Sequence, residues 1–127
     1  MADRFLYTNI FSQLSDYLYL ITLHGWGEPL LNKDLPQIVA LAHQHNICTA
    51  ITTNGMLLNA SMSESLIESK LDILYVSIDG CSEESYQKYR VGGSFEKVIL
   101  NVQQLVKLKK RKKSYFPFIE WQYIVFK

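Results

Sequence analysis

Residues 47–80 read ICTAITTNGMLLNASMSESLIESKLDILYVSIDG. Two short runs of aliphatic and β-branched residues, ICTAITT (47–53) and DILYVSI (72–78), flank one helical segment. Each run closes on a turn dipeptide, Asn54-Gly55 and Asp79-Gly80. Between them Ser61-Met62-Ser63-Glu64 has capping-box spacing and predicts a helix to about Lys70. A strand, a helix and a strand in so short a stretch form a βαβ unit, whose strands run parallel.

The alternation continues on both sides. Upstream, YLYLITL (17–23), ended by Gly25 and Gly27, predicts a buried strand. Before it, Phe5, Leu6, Ile10, Phe11, Leu14 and Leu18 recur at helical spacing over 5–17. Asp34, with Pro36 and Gln37, opens a helix through IVALAHQH that Asn46 stops. Downstream, Ser82 caps a short helix through Tyr89, and Gly92-Gly93 breaks it. Ser94 caps a long helix with Phe95, Val98, Ile99, Val102, Leu105 and Val106 on one stripe. FPFIEWQYIVF (116–126) predicts a fourth strand. The expected fold class is α/β, a partial parallel (β/α) barrel. An eight-unit barrel takes about 250 residues, so this length holds about four units. Beginning on a helix and ending on a strand, the chain reads as one partial domain over 1–127, cut from a longer array.

Composition narrows the function. Hydrophobic residues make up 48% and charged residues 20%, which excludes a disordered or low-complexity chain. Thirteen Lys+Arg against twelve Asp+Glu leave a net charge of +1, so a nucleic-acid partner is not expected. The KLKKRKK run (107–113) reads as a solvated helix end favourable to the dipole. Cys48 and Cys81 alone build neither a disulfide framework nor a three-thiolate metal site. His43 and His45, two apart on a helix, do not face each other, and His24 reads as a cavity wall. No run is long enough to span a bilayer, and the first residues lack a signal-peptide pattern. A soluble cytoplasmic protein without a membrane partner is the expectation.

The polar residues near the strand ends follow one parity. Thr22 with His24, Ala50 with Thr52 and Asn54, Tyr75 with Ser77 and Asp79, and Glu120 with Gln122 each share a face. Sites in parallel α/β folds gather beyond the carboxyl ends of the strands, so these faces are expected to line one cavity. In HGWGEPLLN (24–32), Gly25 and Gly27 let backbone approach a ligand, and Pro29 holds Glu28 extended. A projecting Glu28 carboxylate suits a ligand ammonium; an ordinary turn with a solvated Glu is the competing reading. Arg90, one short helix beyond VSIDG, either folds back over the strand end or serves as a helix-end cation. Together Glu28 and Arg90 would hold the two charged ends of an amino-acid zwitterion.

GWGEPLLNKDLP, ITTNG, YVSIDG and YRVGGSFEKVILNVQQLVKLKK, in this order, resemble the radical S-adenosylmethionine (SAM) superfamily, and most closely its members with a C-terminal SPASM domain. The resemblance runs over essentially the whole chain and implies the first helix through the fifth strand of a (β/α)6 barrel. It implies that Trp26, Gly27 and Glu28 stand at the Gly-Gly-Glu motif, which meets the SAM amino group, with Trp26 in place of the first Gly. Ser77 would meet the ribose and Arg90 the SAM carboxylate. Asn54 and Gln122 would face the cavity from the third and fifth strands of the family barrel. The full enzyme would use a [4Fe-4S] cluster to cleave SAM reductively to a 5′-deoxyadenosyl radical, acting on a peptide or small-molecule substrate.

One departure from the family outweighs the rest. The CxxxCxxC motif that ligates the cluster is absent; Cys48 reads as a small core residue and Cys81 as a loop thiol. A cluster-less, non-enzymatic binding or interaction module derived from the same fold is therefore the alternative. A barrel lacking units at both ends also leaves sheet edges through which copies would self-associate.

Overall fold

The four apolar runs form one parallel sheet in a computed structural model that describes residues 4–124. Its strands are β1 (Leu20–Thr22), β2 (Cys48–Thr53), β3 (Ile73–Ser77) and β4 (Phe118–Gln122), and strands adjacent in sequence are adjacent in the sheet. Helix α1 (Arg4–Leu14) precedes β1, and α2 (Leu35–Gln44) and α3 (Ala60–Glu68) make the next two crossovers. The short α4 (Glu83–Gln87) and the long α5 (Phe95–Lys112) together link β3 to β4. The expected parallel α/β alternation is the fold the chain adopts.

Register divides the sheet into two unlike faces. Thr22 is level with Ala50, Thr52 with Tyr75 and Glu120, and Ser77 with Gln122. These residues form the polar-leaning face that the strand parity predicted. The other face carries Ile51, Leu74 and Val76, buried with Ile38 and Val39 of α2, Leu66 of α3, and Val98 and Leu105 of α5. Burying one such side chain contributes roughly 1.5–3 kcal/mol, so this layer holds the strands in their register. A smaller cluster of Phe11, Ala42 and Ile47 fastens α1 to α2.

Several local expectations are corrected. Residues 17–23 do not form a buried strand: β1 has three residues, none of them buried, and Tyr17 and Tyr19 are 85% and 82% exposed. Only β2 pairs with β1, so one edge of β1 has no neighbour among the described residues. Phe5, Leu6 and Leu14, expected on the apolar stripe of α1, are exposed, and Phe11 alone of that stripe is fully buried. Helix α3 starts earlier than Ser61 implied. Asn59 caps it, its side chain accepting from the Met62 N–H at 2.9 Å, because buried Leu58, Leu66 and Ile67 set the helix phase. Asp34 makes no side-chain cap bond, and Asn32 Oδ1 instead accepts from the Asp34 N–H at 3.0 Å. Ser82 and Ser94 cap α4 and α5 as expected. Residues 125 and 126 of the predicted last strand lie outside the described residues.

The basic run is an exposed helix end, as expected, with only Lys109 of its basic residues half-buried. Lys112 bridges Glu64 and Glu68 of α3 at 2.7 and 2.8 Å and draws the Glu64 carboxyl below its ordinary pKa. Cys48 is half-buried and Cys81 exposed. Among the described residues no helix is long and apolar enough to cross a membrane.

Candidate functional site

Beyond the carboxyl ends of the strands lies an open cleft of about 690 Å³. Gly27, Glu28, Asn54, Ser77, Arg90 and Gln122 all line it, with His24, Gly25, Thr52 and Thr53. Six of the seven residues singled out from the sequence thus meet in one place. Trp26 does not: its side chain is fully exposed and borders a neighbouring cavity of about 240 Å³ with Tyr7, Thr22 and Leu35. The adjacent Gly27 has φ +110°, a backbone conformation that favours glycine, and this turns the loop at the cleft's rim.

Glu28 is extended, as Pro29 requires, but its carboxylate turns into the protein. Oε1 accepts from the Thr53 hydroxyl at 2.6 Å and from the Leu30 N–H at 3.1 Å. Oε2 accepts from the Asn54 N–H at 2.9 Å. Glu28 is therefore the cap of a single 3-10 turn (Pro29–Leu31) and the clasp between the 24–28 loop and the end of β2. An ionised carboxylate offers about four acceptor sites, and three are taken here. Thr53 was missed by the sequence reading because its parity puts it on the helix-facing side of β2. Its Oγ1 also accepts from the Gly55 N–H at 3.0 Å, so one hydroxyl couples the turn to the Glu28 clasp. Asn54 Oδ1 is occupied by the Met56 N–H at 2.9 Å. Buried Asn101 of α5 donates to the Gly55 carbonyl at 2.9 Å and holds this turn from behind.

Arg90 folds back over the end of β3, as one of the two readings held. Its Nε and Nη2 donate to Asp79 Oδ2 at 2.8 and 2.6 Å. Asp79 is 5% exposed, whereas the Arg90 side chain is 34% exposed and faces the cleft. The corner is built by close packing. A Cβ on Gly80 would lie 2.5 Å from the Tyr86 backbone nitrogen, so only glycine admits the first turn of α4 there. Tyr86 is buried against the Phe95 ring at 6.0 Å between centroids. Burial pushes its phenol above the ordinary tyrosine value, although the Arg90 charge opposes this. The Arg90 N–H donates to the Tyr86 carbonyl at 2.9 Å, which fixes where the guanidinium begins. Asp79 was placed by parity on the cavity face, yet its partner was not read; an Asp at a strand end followed one short helix later by Arg was the available signal.

The cysteines do not fit an iron–sulfur cluster. Cys48 opens β2 at the amino end of the sheet, and Cys81 lies beyond the carboxyl end of β3. Among the described residues no group of three His, Cys, Asp or Glu side chains is placed to hold a metal ion. His43 lies edge-on to the Phe116 ring and His45 near the Phe11 ring, while His24 lines the cleft.

Comparison with known proteins gives three findings. Residues 14–119 match the model of the Radical SAM superfamily. The chain is 36% identical over 83 residues to a probable GTP 3′,8-cyclase of Methanococcus maripaludis, covering 65% of this chain and 28% of that protein. It is 34% identical over 76 residues to Fe-coproporphyrin III synthase of Methanosarcina barkeri, covering 60% and 19%. The crystal structure of BtrN in complex with AdoMet and 2-DOIA superposes with a TM-score of 0.67 at 25% identity, covering 95% of this chain and 44% of BtrN. The chain thus spans less than a third of the length of these two curated relatives.

Proposed function

Because the chain belongs to the radical SAM superfamily, we propose that it is the S-adenosylmethionine-binding part of a radical SAM enzyme's barrel. It would supply the first helix through the fifth strand of the family barrel, in the group with a C-terminal SPASM domain. One observation carries the reading: a single cleft at the strand ends joins a carboxylate, a guanidinium and neutral polar groups suited to an amino acid attached to a nucleoside.

The roles follow from what each group has left to offer. The cleft-facing side of the Arg90 guanidinium suits the SAM carboxylate, since a guanidinium has five N–H donors and Asp79 engages two of its nitrogens. The remaining acceptor site of Glu28, with the Gly25–Gly27 backbone, suits the ammonium. Ser77, level with Gln122 at the ends of β3 and β4, suits a ribose hydroxyl. Asn54 keeps its amide nitrogen for the cleft. In this superfamily SAM and a [4Fe-4S] cluster together supply the radical chemistry.

Calorimetry with SAM tests the reading. Arg90→Ala is expected to weaken binding about 10- to 100-fold, because it removes charge-assisted hydrogen bonds of roughly 1.5–3 kcal/mol. Ser77→Ala is expected to weaken it about fivefold, for one neutral hydrogen bond of about 1 kcal/mol. Equal affinity in wild type and both variants would overturn the assignment.

A second expectation concerns the cluster. Anaerobic reconstitution of this chain with iron and sulfide is expected to leave no stoichiometric [4Fe-4S] cluster, since Cys48 and Cys81 sit at opposite ends of the sheet. A full cluster lost in both Cys48→Ser and Cys81→Ser would contradict that.

A further inference from the structure

We propose that Asp79 is a positioning residue that aims Arg90 into the cleft and thereby selects ligands bearing a carboxylate. The inference rests on the proposed SAM-binding reading and deepens it. A half-exposed arginine on a loop has many rotamers, and a ligand that must order it loses affinity to that ordering. Here the ordering is already done. Asp79 is almost wholly buried, and its Oδ2 takes both the Nε and the Nη2 of Arg90. That contact occupies one edge of the planar guanidinium and fixes the plane. Among the described residues Nη1 meets no acceptor, so it and the second N–H of Nη2 form the remaining edge, and Arg90 lines the cleft. A fork of two parallel N–H groups is the donor set that a carboxylate accepts best.

Asp79 is itself held from two sides. Its backbone lies two residues past the end of β3, and its Oδ1 accepts from the Ile124 N–H at 3.3 Å, in the segment after β4. The position of Arg90 is thus referred to two strands of the sheet rather than to its own loop. The pair also has a cost that makes the proposal testable by sign. An adjacent carboxylate partly neutralises Arg90, so by charge alone Asp79 would weaken anion binding. Loss of Asp79 that harms SAM binding and spares a ligand lacking the carboxylate is therefore the mark of a positioning role.

The test compares two ligands on the chain: SAM, and the decarboxylated analogue that keeps its sulfonium, adenosine and amine. Asp79→Asn preserves shape and an acceptor for Ile124 but turns the Arg90 contact into donor against donor or removes its charge. It is expected to weaken SAM about tenfold while leaving the decarboxylated analogue within about twofold. Arg90→Ala should show the same selectivity, and the double variant should bind SAM no more weakly than Arg90→Ala alone. Unchanged or tighter SAM binding by Asp79→Asn, with Arg90→Ala impaired, would overturn the positioning role and spare the reading beneath it. Unchanged binding by Arg90→Ala, or no SAM binding by the wild type, would overturn that reading and the inference with it. Should Asp79→Asn fail to fold, the wild type decides by side-chain NMR. The Arg90 Nε–H, assigned by its loss in Arg90→Lys, is expected to exchange slowly with solvent before any ligand is added. Exchange as fast as that of a free arginine would overturn the proposal.

Discussion

Gly80→Ala is expected to lower the unfolding free energy by about 3 kcal/mol, the upper part of the range for forcing atoms into a packed region. The added Cβ would lie 2.5 Å from the Tyr86 nitrogen and 2.6 Å from its Cα. Both are backbone atoms, so no side chain can rotate away, and α4 must shift as a unit. Tyr86 resists the shift because it is 1% exposed and in contact with the Phe95 ring. Arg90 would move with it, since its N–H is bonded to the Tyr86 carbonyl at 2.9 Å. Urea unfolding should therefore show a lower midpoint at unchanged slope, and SAM binding should fall with it. Gly92→Ala is the matched comparison. Gly92 has φ +79° but open space around a built Cβ, so only backbone strain of about 1 kcal/mol opposes the change. Equal stability losses for the two would show that the contact at Tyr86 is not what requires glycine at 80.

Glu28→Ala is expected to cost about 2–4 kcal/mol, because it leaves three donors without their acceptor at once. They are the Thr53 hydroxyl and the N–H groups of Asn54 and Leu30. A buried donor left unsatisfied costs roughly 1–3 kcal/mol, moderated here because the site is only partly buried and water can enter. Glu28→Gln should recover part of the loss and no more. Its oxygen can replace Oε1, but its NH2 would then face the Asn54 N–H, donor against donor. The same ordering, wild type above Gln above Ala, is expected for SAM affinity, since the clasp holds the 24–28 loop against the end of β2. Thermal melts paired with calorimetry check both. A Glu28→Ala protein as stable as wild type but unable to bind SAM would mean that the side chain serves the ligand directly and clasps nothing.

The alternation of strands and helices was legible because each strand ends on its own punctuation: Gly25 and Gly27, Asn54-Gly55, Asp79-Gly80. The two-residue parity then sorted Thr52, Ser77 and Gln122 onto one face, and the observed register puts them there. Local signals failed where two of them competed within one turn. Ser61 and Asn59 both offer a cap to α3, and the burial of Leu58 and Leu66 decided for Asn59. The run 17–23 carries apolar residues fit for a buried strand, but strand length depends on neighbours, and among the described residues β1 has one.

Sequence by itself determined the parallel α/β class, and of the seven residues it singled out, six line the cleft at the strand ends. These rest on short-range rules: side-chain period, turn chemistry and capping. Tertiary structure alone decided what the two charged groups do. Glu28 meets Thr53 and Asn54 across 25 and 26 residues of chain, and Arg90 meets Asp79 across 11. A carboxylate or guanidinium has the same charge whether it is solvated, spent on a neighbour or free for a ligand. Which of these holds depends on the donors and acceptors that folding brings within about 3 Å, and no spacing along the chain encodes that.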